Sequence, residues 1–563
     1  MSLLEQAIEY QKKNDFDNAE KIYKTLISQN KQDFNAIYLL GTIEAQKKNF
    51  EKAIVLIKES LSIYNKNFVA HNNLGLAYYN LEKFKDAVLS FQQAIYLNPN
   101  YLESYSNLGN VFLKQKKYLI AFKLYKKAFK LNNKLFISFK NIINLLIEIK
   151  KYKTAEKFLK QLLSLKVSDK EIYFLQGIVN SKTYKIDEAI NNFLKSIEID
   201  SNYKEAYNEI GCLYILRKDF VNAEKFISLA INIDNFYFEA LYNRAWVNLI
   251  KKNFEDGWKD YSYRKNIKTF PKHKPNIELL DNLSQIKDKK IFVYHEQGLG
   301  DSLQFCRYVK LLASKGAKVI FMVQKSLQYL LNDFDENIEI TMDEKKISQC
   351  DYYCYLLDLP MVFNTNSNNI PNKIPYIKLP SKFVDSWKYK LNSENFRIGI
   401  NWSTDSKAIG LNQSLKDYRN DRSFKLEDIK DFFLLENVEF ISLQKKIDEK
   451  EDKKFLEKIK IFKNIDQQHS FIDTAAIILN CDIIITCDTS VAHLSGALGK
   501  ETLLLLPYNN YWTWGINENR SVWYNNMLLF RQKKINEWQE PIFELLEHLK
   551  KRINERKKIN ESN

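Results

Sequence analysis

A 34-residue period runs through the first half of the chain and limits what that half can fold into. Gly41, Gly75, Gly109, Gly177 and Gly211 fall at that spacing or a multiple of it, and Ala7, Ile143 and Ala245 occupy the same phase. A second series, Ala19, Ala53, Ala87, Ala121, Ala155, Ala189 and Ala223, lies twelve residues later and repeats in step. Two small-residue phases in fixed register mark where the two helices of a unit, and then neighbouring units, approach closely. The pattern predicts a helical repeat array.

The aromatic positions agree. Phe16, Phe50, Phe84, Tyr118, Tyr152, Phe220 and Phe254 stand three residues before the alanine phase, near the expected turn, and Ile186 replaces an aromatic once. Pro99 falls between units, where its missing amide is harmless. The pattern resembles the tetratricopeptide repeat, most closely in the unit holding Asn73-Leu74-Gly75-Leu76-Ala77-Tyr78-Tyr79. About eight units cover residues 1–262, and the resemblance implies an α-solenoid that binds a protein partner.

At 563 residues, 45% of them apolar, the chain can build several cores. Its net charge of +16 suits acidic or phosphorylated partners and peripheral association with an acidic membrane face. The lysines are spread along the helices with no nucleic-acid motif among them, which argues against specific nucleic-acid binding. The six cysteines form no CxxC pair and have no histidine at zinc spacing, so they read as reduced core residues. Without a signal peptide or a long apolar run, the expected location is cytoplasmic.

The grammar changes after residue 262. Residues 263–287, with Pro271 and Pro275, read as a linker that caps the array. From residue 288 short apolar runs alternate with glycine turns and helical patterns, the signature of a parallel α/β sheet. One series occupies 288–380 and a second 395–540, with strands expected at Arg397–Trp402, Val438–Leu443, Ile461-Phe462, Asp482–Thr486 and Thr502–Leu506. The Pro- and Asn-rich stretch Asn364–Pro380 between them reads as a hinge. The fold class is therefore a helical solenoid followed by two Rossmann-like lobes, with ligands expected where the carboxyl ends of the sheets face each other. Residues 541–563 read as a helix, expected to cross back onto the first lobe, and a charged tail.

Two turns could carry chemistry. In His295-Glu296-Gln297-Gly298-Leu299-Gly300-Asp301, two glycines let the backbone approach a ligand at the start of a helix. Asp301 there reads either as a helix cap or as a general base. In Asp488-Thr489-Ser490-Val491-Ala492-His493, caps again account for the first three residues, while His493 one turn in suits the anionic oxygens of a diphosphate.

These turns, together with Asn401-Trp402-Ser403, Asp421-Arg422-Ser423, Ser442-Leu443-Gln444, Ser521-Val522-Trp523-Tyr524 and Leu529-Phe530-Arg531-Gln532, resemble the heptosyltransferase-like glycosyltransferases of family 9. They resemble more narrowly the bacterial proteins that join such a domain to tetratricopeptide repeats. The resemblance implies a GT-B fold, an inverting transfer from a nucleotide-diphosphate sugar bound by the C-terminal lobe to a glycan or protein acceptor, and no metal or other cofactor. Asp301 then matches the base, with Gln297, Gly298 and Gly300 on the acceptor side. Asp488, Thr489 and His493 match donor-binding positions, with Ser490 among them, and Trp402 and Gln444 lie in segments lining the donor cleft. By its own chemistry Arg422 reads either as a phosphate contact or as a solvated surface charge. Ser490 stands where the family usually has glycine, and Thr513 where the repeat-bearing relatives usually have arginine. Two rival readings follow: a protein O-glycosyltransferase using asparagines of the repeat groove such as Asn72, Asn73, Asn107 and Asn141, and a scaffold that has lost turnover.

Overall fold

The computed structural model describes residues 2–131, 136–164, 169–271, 273, 275–404, 422–447, 451–467 and 470–562. Asp421, of the arginine motif, and His469 lie outside these. The chain divides into two compact units, Met1–Asp200 and Ser201–Asn563.

The first unit holds helices from Leu3–Lys12 to Ile186–Ile199, joined in successive pairs. Within each pair the turn contains a residue with positive φ, at Asn14, Lys48, Glu82, Lys116, Lys150 and Tyr184, again 34 apart. The residue after it donates its amide five positions back, as Lys83 does to Tyr78 O at 2.9 Å, closing the last helical turn in a Schellman arrangement. The alanine phase is fully buried at Ala19, Ala53, Ala87, Ala121, Ala155 and Ala189.

The glycines of this phase are where a side chain from the second helix of the pair lands, isoleucine at Gly41 and a ring at Gly75, Gly109 and Gly177. A methyl at Gly109 would lie 2.5 Å from Tyr125 Cε1, and one at Gly75 would lie 2.6 Å from Phe91 Cε1. Gly109→Ala is therefore expected to cost about 1–3 kcal/mol through overpacking, read as a lower urea midpoint with an unchanged slope. An unchanged midpoint would mean that Tyr125 moves aside without cost.

Asn72, Asn73 and Asn107 are engaged between neighbouring helices. Asn72 is 3% exposed, and its Oδ1 accepts from Ser104 Oγ and Asn107 Nδ2, both at 3.0 Å. Asn73 donates to Tyr38 Oη at 2.7 Å. Asn72 thus stitches neighbouring helices together and is not on offer to a peptide.

The second unit begins with helices Lys204–Leu216, Phe220–Ile233, Phe238–Ile250 and Phe254–Ser262, whose turns carry Lys218 and Lys252 at positive φ in the same 34-residue register. They pack within this unit because the last helix is built for burial on the α/β part: Trp258 donates to Thr365 O at 2.9 Å and meets Trp512 edge-on at 5.5 Å.

Two parallel sheets follow. The first contains β1 (Glu278–Leu279), β2 (Lys290–Tyr294), β3 (Lys318–Met322), β4 (Ile338–Thr341) and β5 (Tyr352–Tyr355) in the order β1-β5-β2-β3-β4. The second contains β6 (Phe396–Asn401), β7 (Val438–Ser442), β8 (Ile459–Lys460), β9 (Ile483–Cys487), β10 (Thr502–Leu506) and β11 (Met527–Arg531) in the order β11-β10-β9-β6-β7-β8. Every pairing between these strands is parallel. Strand order reverses beside β2 in the first sheet and beside β6 in the second, and crevices open at the carboxyl ends of such strands.

Several local expectations change. The segment read as a linker supplies the edge strand β1, because Glu278 and Leu279 pair with Tyr352 and Tyr353. The strand expected at Ile461-Phe462 lies two residues earlier. The hinge is pinned: buried Arg307 donates to Pro371 O at 2.6 Å, to Trp523 O at 2.8 Å and to Tyr376 Oη at 3.0 Å. The C-terminal helix Gln539–Ser562 packs on the second sheet, not the first lobe, since Ile542, Leu545, Leu546, Leu549 and Ile553 join the core around β6 and β10. Among the described residues no helix is long and apolar enough to cross a membrane.

Candidate functional site

Both sequence motifs sit at carboxyl ends next to the reversal points. After β2 the chain turns through Gln297, at φ +59°, into the helix Leu299–Ser314, with Gly298 as its N-cap. Asp301 reaches back to accept the Gly298 amide at 2.9 Å, so the capping role is real. Its environment adds more. Burial pushes the Asp301 carboxyl up to about 7, against the Gly298 amide that lowers it, and the charges of Glu296 and Asp488 push the same way as burial.

After β9 the chain enters the helix Ser490–Ala497 with Thr489 as N-cap. Thr489 Oγ1 donates to Asn401 Oδ1 at 2.9 Å, and Asn401 Nδ2 donates to Gln444 Oε1 at 2.7 Å. The ends of β6, β7 and β9 are thereby locked together at the second reversal point. Asp488 accepts from Trp514 Nε1 at 2.9 Å, while Arg422 Nη1 donates to its backbone carbonyl at 3.2 Å. Arg422 Nε is buried without a hydrogen-bond partner among the described residues.

The helices Leu299–Ser314 and Ser490–Ala497 pack on each other, and Gly300 is what allows it. A methyl there would lie 2.7 Å from His493 Cδ2. This contact brings the two motifs into one site.

Two sequence-predicted roles change. His493 is 7% exposed, stacks on Trp514 at 5.0 Å and pairs through Nδ1 with Tyr524 Oη at 3.1 Å. Burial pulls its imidazole down to about 4, so at neutral pH it is uncharged and offers no cation to a diphosphate. Trp402 is fully buried in the second-sheet core and donates to Glu451 Oε1 at 2.9 Å, leaving no face for a base to stack on. Arg422, read as a phosphate contact or a solvated charge, is half-buried beside Asp488 and so is not a solvated surface charge. Gln297 is held by Tyr261 Oη at 2.7 Å, and Ser490 stays partly exposed at the helix start. Thr513, the other departure from the family pattern, is buried with an unpaired hydroxyl.

Sequence reading missed one cluster altogether. Arg264, wholly buried, donates through Nε to Glu296 Oε2 at 2.9 Å, through Nη2 to Glu296 Oε1 and through Nη1 to Asp358 Oδ1 at 2.7 Å. Lys265 adds a second cation on Asp358 at 2.7 Å, and Glu296 also accepts the Leu357 amide at 3.0 Å. The first reversal point, between β2 and β5, is thus filled by a guanidinium from the segment read as a linker. Only the acidic residue inside the first motif signalled it.

Comparison with known proteins reaches the repeats. The tetratricopeptide repeat family matches residues 4–67, 68–101 and 102–136. Residues 4–136 are tetratricopeptide repeats. No curated protein matches the chain. Similar solved structures include a tetratricopeptide repeat protein from Parabacteroides merdae, 19% identical over 41% of this chain and 92% of that one, with a TM-score of 0.36. PilF of Pseudomonas aeruginosa is 17% identical over 35% of this chain and 90% of its own, with a TM-score of 0.31. YrrB, described as a tetratricopeptide protein with an unusual peptide-binding site, is 20% identical over 33% and 95%, with a TM-score of 0.26. The repeats are protein-interaction modules followed by an α/β region of parallel sheets.

Proposed function

We propose that the α/β region is a GT-B glycosyltransferase, transferring a sugar from a nucleotide diphosphate to a glycan or protein acceptor that the repeats help to hold. The observation that carries this reading is the packing of Gly300, the neighbour of Asp301, on His493 of the Ser490–Ala497 helix, with the charge of Asp488 acting on the Asp301 carboxyl. Sugar transfer requires a carboxylate to take the acceptor hydroxyl's proton, and a group titrating near neutrality does so most efficiently. It also requires donors for the departing diphosphate. The start of the 490–497 helix with the partly exposed Ser490 hydroxyl, and the half-buried Arg422 guanidinium, supply them, and neutral His493 supports the wall beneath. Trp514 positions that wall, since one indole holds Asp488 and stacks on His493.

The test is a thermal-shift screen against UDP, GDP, ADP, CMP and dTDP sugars. A ligand at about 100 times its Kd adds roughly 2.7 kcal/mol to the native state, so one class is expected to raise the melting temperature by several degrees. Arg422→Ala is expected to abolish that shift, and also to lower the unliganded melting temperature, because it removes the bond to the Asp488 carbonyl and the cation beside its carboxylate. No shift with any nucleotide sugar would overturn the reading in favour of a scaffold without turnover.

A further inference from the structure

Away from that site, the repeat helices of the second unit meet the segment after β10 around a small apolar pocket, with Ile215, Phe220, Trp246, Ile250 and Ile516 among its walls. Lys218 lines it too. This lysine is the positive-φ residue in the turn between the helices Lys204–Leu216 and Phe220–Ile233, and it is half-buried. Its Nζ lies 4.0 Å from the centre of the Tyr508 ring and makes no hydrogen bond or ion pair among the described residues.

The charge beside it has the same sign. Arg531 Nη1 donates to Asn510 Oδ1 at 3.0 Å and to Gly515 O at 3.4 Å, and both of those residues line the pocket. The other bonds of this guanidinium go to Glu518 O and Trp514 O, so it too is spent on oxygens without formal charge. The Glu518 carboxylate is taken up by Lys252 at 2.5 Å. An ammonium held by a ring face alone gains about 0.5–2 kcal/mol, and burial beside a second cation works against it. Burial, with the charge of Arg531 adding to it, pushes the Lys218 ammonium down to about 8. Desolvation and a neighbouring cation are the conditions that make a lysine nucleophilic.

The other turns supply the contrast. Lys48, Lys116 and Lys150 share the positive φ and the repeat position, and they are exposed to water. Lys218 differs through the α/β part packed against it.

We propose that Lys218 is a modification site, acylated on Nζ by a small donor of the acyl-phosphate class. The donor's negative charge suits the two cations, and a free space of about 10 Å³, about that of one water, admits no bulky acyl chain. The neutral amine attacks the carbonyl carbon, and the bond from that carbon to the phosphate oxygen breaks. Phosphate leaves with the electron pair, and the nitrogen gives its proton to solvent. The product is a neutral amide, which ends the repulsion by Arg531 and replaces the ammonium on the Tyr508 ring. The assignment stands without any assumption about sugar transfer.

The probe is acetyl phosphate, added to the full-length protein between about pH 6 and about pH 10, with acetylation of each lysine followed by peptide mass spectrometry. Near neutral pH, Lys218 is expected to react about tenfold faster than Lys48, Lys116 or Lys150. Its rate should level off above about pH 8 while theirs still rise. In denaturing urea, where the pocket is lost, the four rates should converge. A rate at Lys218 no faster than the three controls in the folded protein would overturn the proposal. An advantage that persists in urea would also overturn it, because the neighbouring Arg217, and not the fold, would then be its cause.

Discussion

Arg264→Ala is expected to destabilise the protein by about 3–5 kcal/mol, the usual result of removing one partner from a buried charge cluster. The alanine leaves Glu296 and Asp358 facing each other at the head of the first sheet, each 3% exposed, with Lys265 as the remaining cation. Burial already pushes the Glu296 carboxyl up, and the guanidinium is the main influence opposing it. Without Arg264 the Glu296 carboxyl binds a proton still more readily in the native state than in the unfolded chain. The deficit should therefore grow as pH rises through the carboxylate range and shrink in acid. Urea unfolding at several pH values measures this directly. Arg264→Lys should recover only part of the loss, because an ammonium cannot bridge both carboxylates in one plane. A loss well below 1 kcal/mol at neutral pH would mean that Lys265 alone neutralises the cluster.

Asp301→Asn is expected to separate stability from chemistry. The Asp301 carboxyl is raised from 3.8 to about 7, so between those values the native state holds a proton that the unfolded chain has released. Stability from this group is complete below its unfolded value and is lost as pH rises through about 7. At about 1.36 kcal/mol per unit, asparagine should stabilise the protein at alkaline pH by up to about 4 kcal/mol. The gain should shrink as pH falls below about 7 and vanish only below the unfolded value of 3.8. The amide oxygen of asparagine still accepts the Gly298 N–H, so the helix cap survives. On the proposed mechanism the same change removes the base, and transfer should fall by at least about 100-fold with donor binding retained. Unchanged turnover would remove Asp301 from the mechanism, and a melting temperature that follows the wild type at every pH would deny its raised affinity for the proton.

The period, the small-residue phases and the aromatic phase are local signals, repeated often enough that each confirms the next. They gave the paired helices and placed their turns near the aromatic phase, while the left-handed residue that recurs in those turns from Asn14 to Lys252 emerged only with the structure. The strands were legible where they are apolar and buried on both faces, as at β9 and β10, and less so at the two-residue strands β1 and β8, which form only because a neighbour is there to pair with. The candidate site was readable as residue types. Which of those residues still face an open site was not: Trp402 and His493 have the chemistry of ligand contacts, yet packing turned both inward.

What the sequence by itself determined is therefore the repeat architecture, the change of grammar after residue 262 and the two turns that begin the helices Leu299–Ser314 and Ser490–Ala497. What only the tertiary structure decided is their meeting through Gly300 and His493, the proton affinity of Asp301, and the filling of the first crevice by Arg264. The reason is range. Periodicity and capping act over a few residues or one helical unit, whereas desolvation and charge coupling depend on groups far apart in the chain, such as Asp301 and Asp488, and exist only once the chain has folded.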